Sequence, residues 1–327
     1  MNKFQSVRYK LAPQMREYDK LTNIWKPFVM FFNQPNFKSQ VYNLDKFGLR
    51  FNDLSNLKNL DIEKNNSIFN EKIFSKSKET AALVGASIVF GTGATSDSFT
   101  ASSILSKKTN IHFFNLGCSA FSGFQEIILF QSFINFLNNT KIVIILSGLN
   151  DLFLINYLSK FDPVFGPHYF SQRYIKGMIQ GTLSWKRNLV KYIFDPFIEH
   201  DVNWNSVTKK ELLNFFFKKN KLKSSDLPNK EETLKTIVNK NFQLWSNIQK
   251  GMGIKIIYFL QPSANWCEKD LSDEEKKIFN LTDTTTQRTY QIFKSIDKTA
   301  YASYKKLIEK NCNYYNIDFD DCNEYIS

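Results

Sequence analysis

The strongest constraint on the fold is a pattern that occurs three times along the chain, in which a short apolar run ends in a turn of small residues. The three runs occupy residues 81–84, 111–116 and 141–146, and helical spacing of apolar residues follows the first two. Strands that alternate with helices in this way predict a parallel sheet with right-handed crossovers. Two further apolar runs, at residues 254–260 and 314–319, predict a fourth and a fifth strand.

The turn after the first run carries a hydroxyl group. Gly85 ends the run, Ser87 follows it, and Asp97 or Ser98 can cap the next helix. Ligands of α/β proteins bind at the carboxyl ends of the strands, and a helix N-terminus favours developing negative charge. We therefore expect Ser87 to stand at a ligand-binding edge of the sheet. The alternative is a turn serine that caps the following helix.

The composition is typical of a folded protein. Of the 327 residues, 43% are hydrophobic and 23% are charged, and a disordered chain would be less hydrophobic. The four cysteines lack C-x-x-C spacing, so we expect reduced thiols. The sequence begins without an apolar leader, and no apolar stretch reaches the ~20 residues that a membrane span needs. These features predict a soluble, cytoplasmic protein.

The net charge of +12 raises the question of a nucleic-acid or anionic-membrane partner. The lysines are scattered and no zinc-finger or RNP motif is present, so we expect no nucleic-acid partner. Residues 209–223 are basic and amphipathic. They are interpreted as a solvated face with a packed apolar stripe. The alternative is weak peripheral contact with an anionic membrane or with a lipid-linked, phosphate-bearing substrate.

The chain divides into two parts. Residues 1–78 lack a clear periodic pattern of apolar residues, apart from a strand–turn–strand pattern at 41–51. They are interpreted as an N-terminal extension packed on the core. Residues 79–327 hold the α/β pattern, which a mostly helical insertion interrupts at 152–250. This organisation predicts one α/β domain with an extension and an insertion.

Three groups with catalytic potential follow consecutive predicted strands: Ser87, Gly117 and Asn150. A serine hydrolase needs a nucleophile together with donors that stabilise the oxyanion of a tetrahedral intermediate. A glycine lets a backbone N–H approach closely, and an asparagine supplies an NH₂ group. Two alternatives remain open, because Gly117 could simply end a strand and Asn150 with Asp151 could form an Asx turn.

Four segments carry a resemblance to a known family: GASIVFGTGATSD, NLGCSAFSGFQE, SGLNDL, and YFLQPS with the later LSDEE. They resemble the SGNH (GDSL-like) hydrolases, and most closely the members associated with bacterial surface-polysaccharide gene clusters, over residues 41–319. The resemblance implies a three-layer α/β sandwich around a parallel, flavodoxin-like sheet. It implies that Ser87 is the nucleophile, and that the Ser87 N–H, the Gly117 N–H and the Asn150 side chain form the oxyanion hole.

The sequence departs from the family pattern in two respects. Ala86 stands where the family usually has an aspartate before the serine. The family's Asp-x-x-His block, which supplies the general base, is not found before residue 327. A serine without a base is a poor nucleophile. Two explanations are considered: a chain shortened at its C-terminus, which has lost the block with its closing helix, or a base supplied from elsewhere.

The three histidines of the chain are weak candidates for this base. His112 lies in an apolar strand and is interpreted as a core or interface residue. His168 and His200 belong to the insertion, from which a lid could bring either one to the site. Cys118 follows Gly117 and is interpreted as a small buried residue, because nothing near it in sequence would lower its pKa.

By resemblance, the expected function is that of a serine esterase or acyltransferase. It would act on ester-linked acyl groups, above all acetyl, of a bacterial glycan or its precursor through a Ser87 acyl-enzyme. The alternative is a catalytically inactive carbohydrate-binding or scaffold domain. The glycines at 91–96 do not match a nucleotide-binding fingerprint and no metal-ligand spacing is present. We therefore expect no cofactor and no metal, and an acylated small molecule or glycan as the partner.

Overall fold

The computed structural model describes residues 3–26, 28–53, 66–70, 79–157, 229–285 and 287–326. The basic segment at 209–223, His168 and His200 lie outside the described residues, as does most of the predicted insertion. The division into an extension, a domain and an insertion stays a prediction. Within the described ranges, no helix is long and apolar enough to cross a membrane.

Strands and helices alternate along most of the described chain. The strands are β1 (Asn23–Lys26), β2 (Met30–Asn33), β3 (Thr80–Gly85), β4 (His112–Gly117), β5 (Thr140–Ser147), β6 (Lys255–Leu260) and β7 (Asp318–Asp321). The helices are α1 (Lys3–Leu11), α2 (Met15–Tyr18), α3 (Ser87–Phe90), α4 (Ala101–Thr109), α5 (Gly123–Ser132), α6 (Leu149–Tyr157), α7 (Lys230–Met252), α8 (Asp273–Thr285), α9 (Gln287–Ser295) and α10 (Lys298–Tyr315). Short 3₁₀ turns lie at Asp97–Phe99, Ile134–Phe136 and Cys322–Tyr325.

The central sheet has five parallel strands in the order β4-β3-β5-β6-β7. The chain therefore adds its second strand on one side of the first and the remaining three on the other side, which is the flavodoxin-like order. The predicted α/β class and the parallel, flavodoxin-like sheet are confirmed. In this order the ligand-binding crevice lies where the strand order reverses, between the first and third strands. Those strands are β3 and β5, which precede Ser87 and Asn150.

Both faces of the sheet are covered by helices. Alternate residues of β3 belong to different buried clusters, with Ala81 in one and Ala82 in the other. The cluster of Ala81 includes Leu105 of α4, and the cluster of Ala82 includes Trp245 of α7. A strand that is buried on both faces is expected to be apolar throughout, and all six residues of β3 are buried. The result is a three-layer sandwich.

The segment after β3 differs from the sequence-based expectation. Ser87 does not lie in an open turn, because it begins the short helix α3. The cap of the next helix is Thr100, whose side chain accepts the N–H of Ser103, and neither Asp97 nor Ser98 has this role. The 3₁₀ turn at Asp97–Phe99 takes up the predicted cap positions and moves the start of α4 to residue 101.

The C-terminal part differs as well. Two helices, α9 and α10, precede the last strand. The two helices are separate because the Asp297 side chain accepts two backbone N–H groups of the first turn of α10. Helix α10 then continues to Tyr315, so the fifth strand of the sheet begins at Asp318 and not at residue 314.

A buried arginine attaches the N-terminal residues to the segment that follows Ser87. Arg50 is fully buried, and its Nε donates to Asp97 Oδ1 over 2.8 Å. Its Nη1 donates to the Tyr18 hydroxyl oxygen at 2.9 Å and to the carbonyl oxygens of Phe90 and Gly91 at 3.0 and 2.9 Å. The two carbonyls belong to the end of α3, so Arg50 fixes the helix that Ser87 begins.

Candidate active site

Ser87 stands at the carboxyl end of β3. The strand ends at Gly85, Ala86 breaks the extended path with φ −92° and ψ −140°, and Gly91 ends helix α3 with φ +80°. The side chain of Ser87 is half-buried. Its hydroxyl group forms no hydrogen bond with any part of the chain that the structure describes. A partially accessible, unpaired hydroxyl at this position is available to a ligand.

The loop at residues 118–122 lies beside Ser87. Gly117 pairs with Gly85 at the end of the sheet, and the Cys118 N–H donates to the Gly85 carbonyl oxygen over 3.3 Å. The hydroxyl oxygens of Ser119 and Thr92 are 3.3 Å apart. The backbone bond attaches the loop to the end of β3, just before Ser87.

Asn150 lies on the other side of the same loop. It is in the first turn of α6, is half-buried, and its Nδ2 donates to the Phe121 carbonyl oxygen over 2.7 Å. The side chain therefore reaches the neighbouring loop, and the Asx-turn alternative finds no support in this contact. An asparagine NH₂ carries two hydrogens, so one remains for a ligand. The structure brings Ser87, Gly117 and Asn150 to one edge of the sheet.

The Gly117 N–H is already engaged. It donates to Asn115 Oδ1 over 3.0 Å. To stabilise an oxyanion, as predicted, the N–H would have to break this bond and donate to the substrate oxygen instead. The glycine itself has a clear packing reason. A Cβ at this position would lie 2.2 Å from the Phe90 backbone nitrogen, so only glycine lets α3 approach β4 this closely. The role of Gly117 as a donor stays a prediction.

Two other backbone N–H groups of the loop are unpaired. Within the described residues, the N–H groups of Ser119 and Ala120 form no hydrogen bond. Ala120 is exposed and adopts the left-handed conformation with φ +63°, which a residue with a Cβ rarely does. Backbone strain of this kind often accompanies a functional site. Sequence reasoning missed these groups, because a run of small residues does not reveal which N–H is left unpaired.

The histidine within the described residues is far from Ser87. His112 is the first residue of β4, whereas the site lies at the carboxyl end of that strand. Five residue steps separate the two ends, or about 17 Å at the rise of a parallel strand. Burial lowers the pKa of His112 to about 4. His112 is therefore a neutral, mostly buried residue at the opposite edge, in line with its interpretation as a core residue.

Cys118 does not provide an alternative nucleophile. It is fully buried, and burial raises the pKa of its thiol well above the usual value. A thiol must ionise to attack a carbonyl. Ser87 therefore remains the candidate for this role among the side chains of this loop and α3.

Comparisons with known proteins add little to this picture. No protein-family model matches the chain, and no curated protein matches it. Among solved structures, the chain is similar to a Bacteroides fragilis protein described as a "putative acylhydrolase", with 12% sequence identity and a TM-score of 0.32. The similarity covers 74% of this chain and 67% of that one. At this identity and TM-score it carries no argument about function, so the functional proposal depends on the site.

Proposed function

We propose that this protein is an ester hydrolase or acyltransferase of the SGNH type, with Ser87 as its nucleophile. One observation carries the proposal. The loop at 118–122 is bonded to Gly85 at the end of β3 and to Asn150 of α6, and within the described residues the N–H groups of Ser119 and Ala120 and the half-buried hydroxyl group of Ser87 form no hydrogen bond. A hydroxyl beside preorganised donors is the arrangement that acyl transfer through a tetrahedral intermediate requires.

In the proposed reaction, Ser87 Oγ attacks the acyl carbonyl carbon as a general base takes the hydroxyl proton. The carbonyl oxygen becomes an oxyanion, which the second hydrogen of Asn150 Nδ2 and backbone N–H groups of the loop stabilise. Collapse of the intermediate breaks the ester bond, and the leaving alcohol receives the proton. Water or a sugar hydroxyl then removes the acyl group from Ser87. The general base of this proposal comes from outside the described residues.

The substrate class in this proposal comes from the resemblance to SGNH hydrolases. Members associated with bacterial surface polysaccharides suggest an ester-linked acyl group, above all acetyl, on a glycan or its precursor. An acyl group as small as acetyl can be offered as an aryl ester. p-Nitrophenyl acetate is therefore the first substrate to test.

Ser87→Ala is expected to lower kcat/KM for p-nitrophenyl acetate by about 10³-fold or more, because removal of a nucleophile abolishes the acyl-enzyme route. Ser119→Ala is the matched control, since it removes a neighbouring hydroxyl and keeps the backbone N–H. We expect that variant to retain most of the activity. Equal rates for wild type and Ser87→Ala would refute the role of Ser87.

A second candidate function is a glycan-binding domain without catalysis. One observation favours it: among the described residues, no histidine lies at the edge that contains Ser87. On this account the wild type would bind an acetylated glycan without releasing acetate. Isothermal titration with the glycan and an acetate assay on the same sample would distinguish binding alone from turnover.

A further inference from the structure

A buried pair of acidic side chains lies behind the candidate site. Glu126 of α5 is 1% exposed and Asp151 of α6 is 6% exposed. Together with Asn241, Tyr258 and Tyr304 they line a cavity of about 20 Å³, enough for one water molecule. Among the described residues that line the cavity, none has a basic side chain. Within this part of the chain, no cation therefore offsets a negative charge on either carboxyl group.

The hydrogen bonds of the pair connect the two segments that carry the candidate oxyanion donors. The Ser147 hydroxyl donates to Glu126 Oε1 over 2.8 Å, just before the turn that leads to Asn150. The Gly123 N–H, which directly follows the loop at 118–122, donates to Asp151 Oδ1 over 3.1 Å. The Asn150–Phe121 bond joins the same two segments, residues 121–126 and 147–151. We call these three hydrogen bonds, Ser147–Glu126, Gly123–Asp151 and Asn150–Phe121, the acid frame.

Burial of the pair favours a proton on it. Glu126 Oε2 has no hydrogen-bond partner within the described residues, and a buried carboxylate without partners is costly. Burial raises the pKa of Glu126 well above its usual value, and the nearby Asp151 raises it further. Burial raises the pKa of Asp151 to about 6, although the Gly123 N–H opposes the rise.

The other described groups that face the pair do not supply positive charge. Tyr258 of β6 and Tyr304 of α10 are fully buried phenols, and burial raises the pKa of each well above its usual value. Helix α7 contributes Asn241 and Trp245, which do not titrate. When both carboxyl groups ionise, Glu126 and Asp151 repel each other. This repulsion pushes α5 and α6 apart, and these two helices carry the two carboxyl groups of the acid frame.

We propose that Glu126 and Asp151 are positioning residues for the oxyanion side of the candidate site, and that ionisation of both opens the acid frame and lowers the reactivity of Ser87 as the pH rises. The effect on Ser87 rests on the proposed function. The effect on stability does not, because it depends only on the acid frame.

The direction of the stability effect follows from the raised pKa values. A carboxyl group with a raised pKa binds its proton more tightly in the folded state than in the unfolded chain, where its pKa is about 4. The stability that each of these protons contributes is therefore fully present below about pH 4 and is lost as the pH rises through the folded-state pKa of its group. For Asp151 this window ends near pH 6. For Glu126, burial and the nearby Asp151 carry the window well above the usual pKa of a glutamate.

The test compares wild type with Glu126→Gln and Asp151→Asn, each of which keeps an acceptor oxygen and cannot ionise. Glu274→Gln, at an exposed position of α8, is the charge-matched control. Between pH 5 and 9 the folding equilibrium constant of wild type should fall relative to that of each variant. The fall is up to about tenfold per pH unit for each proton that the folded state holds and the unfolded chain does not. The control should follow wild type. Parallel profiles for wild type and both variants would overturn the proposal.

The second readout is the rate at which a fluorophosphonate labels Ser87, measured over the same pH range. Wild type should lose reactivity as the pH rises through this range, whereas Glu126→Gln should keep it. Equal pH dependence of labelling in the two proteins would overturn the positioning role. If Ser87 is not labelled at any pH, the proposed function fails, and the stability profiles still decide whether the acid frame exists.

Discussion

Arg50→Met is expected to lower the free energy of unfolding by about 3–5 kcal/mol, the usual cost of removing one partner from a buried ion pair. The guanidinium group is fully buried, and the Asp97 carboxylate, 2.8 Å from Arg50 Nε, would remain without its cation. The carbonyl groups of Phe90 and Gly91 would lose a shared donor. Urea unfolding at neutral pH measures the loss.

Two further measurements make this expectation specific. Burial raises the pKa of Asp97 and the charge of Arg50 opposes the rise, so without Arg50 the carboxyl group can take up a proton in acid. The deficit of Arg50→Met should therefore shrink as the pH falls towards 4. Lys235→Met, which breaks the exposed pair with Glu231, should change stability little. A loss at Arg50 no larger than that at Lys235 would contradict the account.

Gly117→Ala is expected to destabilise the protein by about 1–3 kcal/mol, as overpacking of a close contact does, and to impair labelling of Ser87. The new Cβ would lie 2.2 Å from the Phe90 nitrogen and 2.7 Å from the Val89 carbonyl carbon. Both atoms belong to backbone that cannot rotate away, so α3 must move, and Ser87 is its first residue. Thermal unfolding and the labelling rate measure the two effects.

Gly251→Ala is the matched control for this substitution. Gly251 lies in α7, and a Cβ there would meet no atom within 4 Å. An alanine within a helix is favoured over glycine by about 0.5–1 kcal/mol, so this variant should be slightly more stable than wild type. If Gly117→Ala behaved like Gly251→Ala, the close approach of α3 to β4 would be refuted.

The sequence predicts β3 to β6 well, because strands that are covered on both faces give unbroken apolar runs. The edge strand β7 is mostly acidic and begins at Asp318, not at residue 314. The capping box at the start of α8 is equally local, because Ser272 and Glu275, three residues apart, each bind the backbone N–H of the other. Local signals of this kind depend on residues that are adjacent in the chain. The interpretation of Asp97 or Ser98 as the helix cap was wrong, because these residues form a 3₁₀ turn before α4. Such an interpretation depends on only one or two positions.

The contacts that position the candidate site could not be predicted in this way. Arg50 and Asp97 are far apart in the sequence, as are Glu126 and Asp151, and a lone charged residue in a sequence usually indicates a solvated surface. The unpaired N–H groups are those of Ser119 and Ala120, in a loop where Ala120 adopts φ +63°. Such features depend on tertiary packing and become visible only in the structure.

The central claim, that Ser87 is an activated nucleophile, is tested most directly by intact-mass analysis after treatment with a fluorophosphonate. The account predicts one adduct on the wild-type protein and none on Ser87→Ala, with Ser119→Ala labelled like wild type. An adduct would then direct the search for the base to His168 and His200. A folded wild-type protein that gains no mass, or a Ser87→Ala variant that still gains it, would contradict the claim.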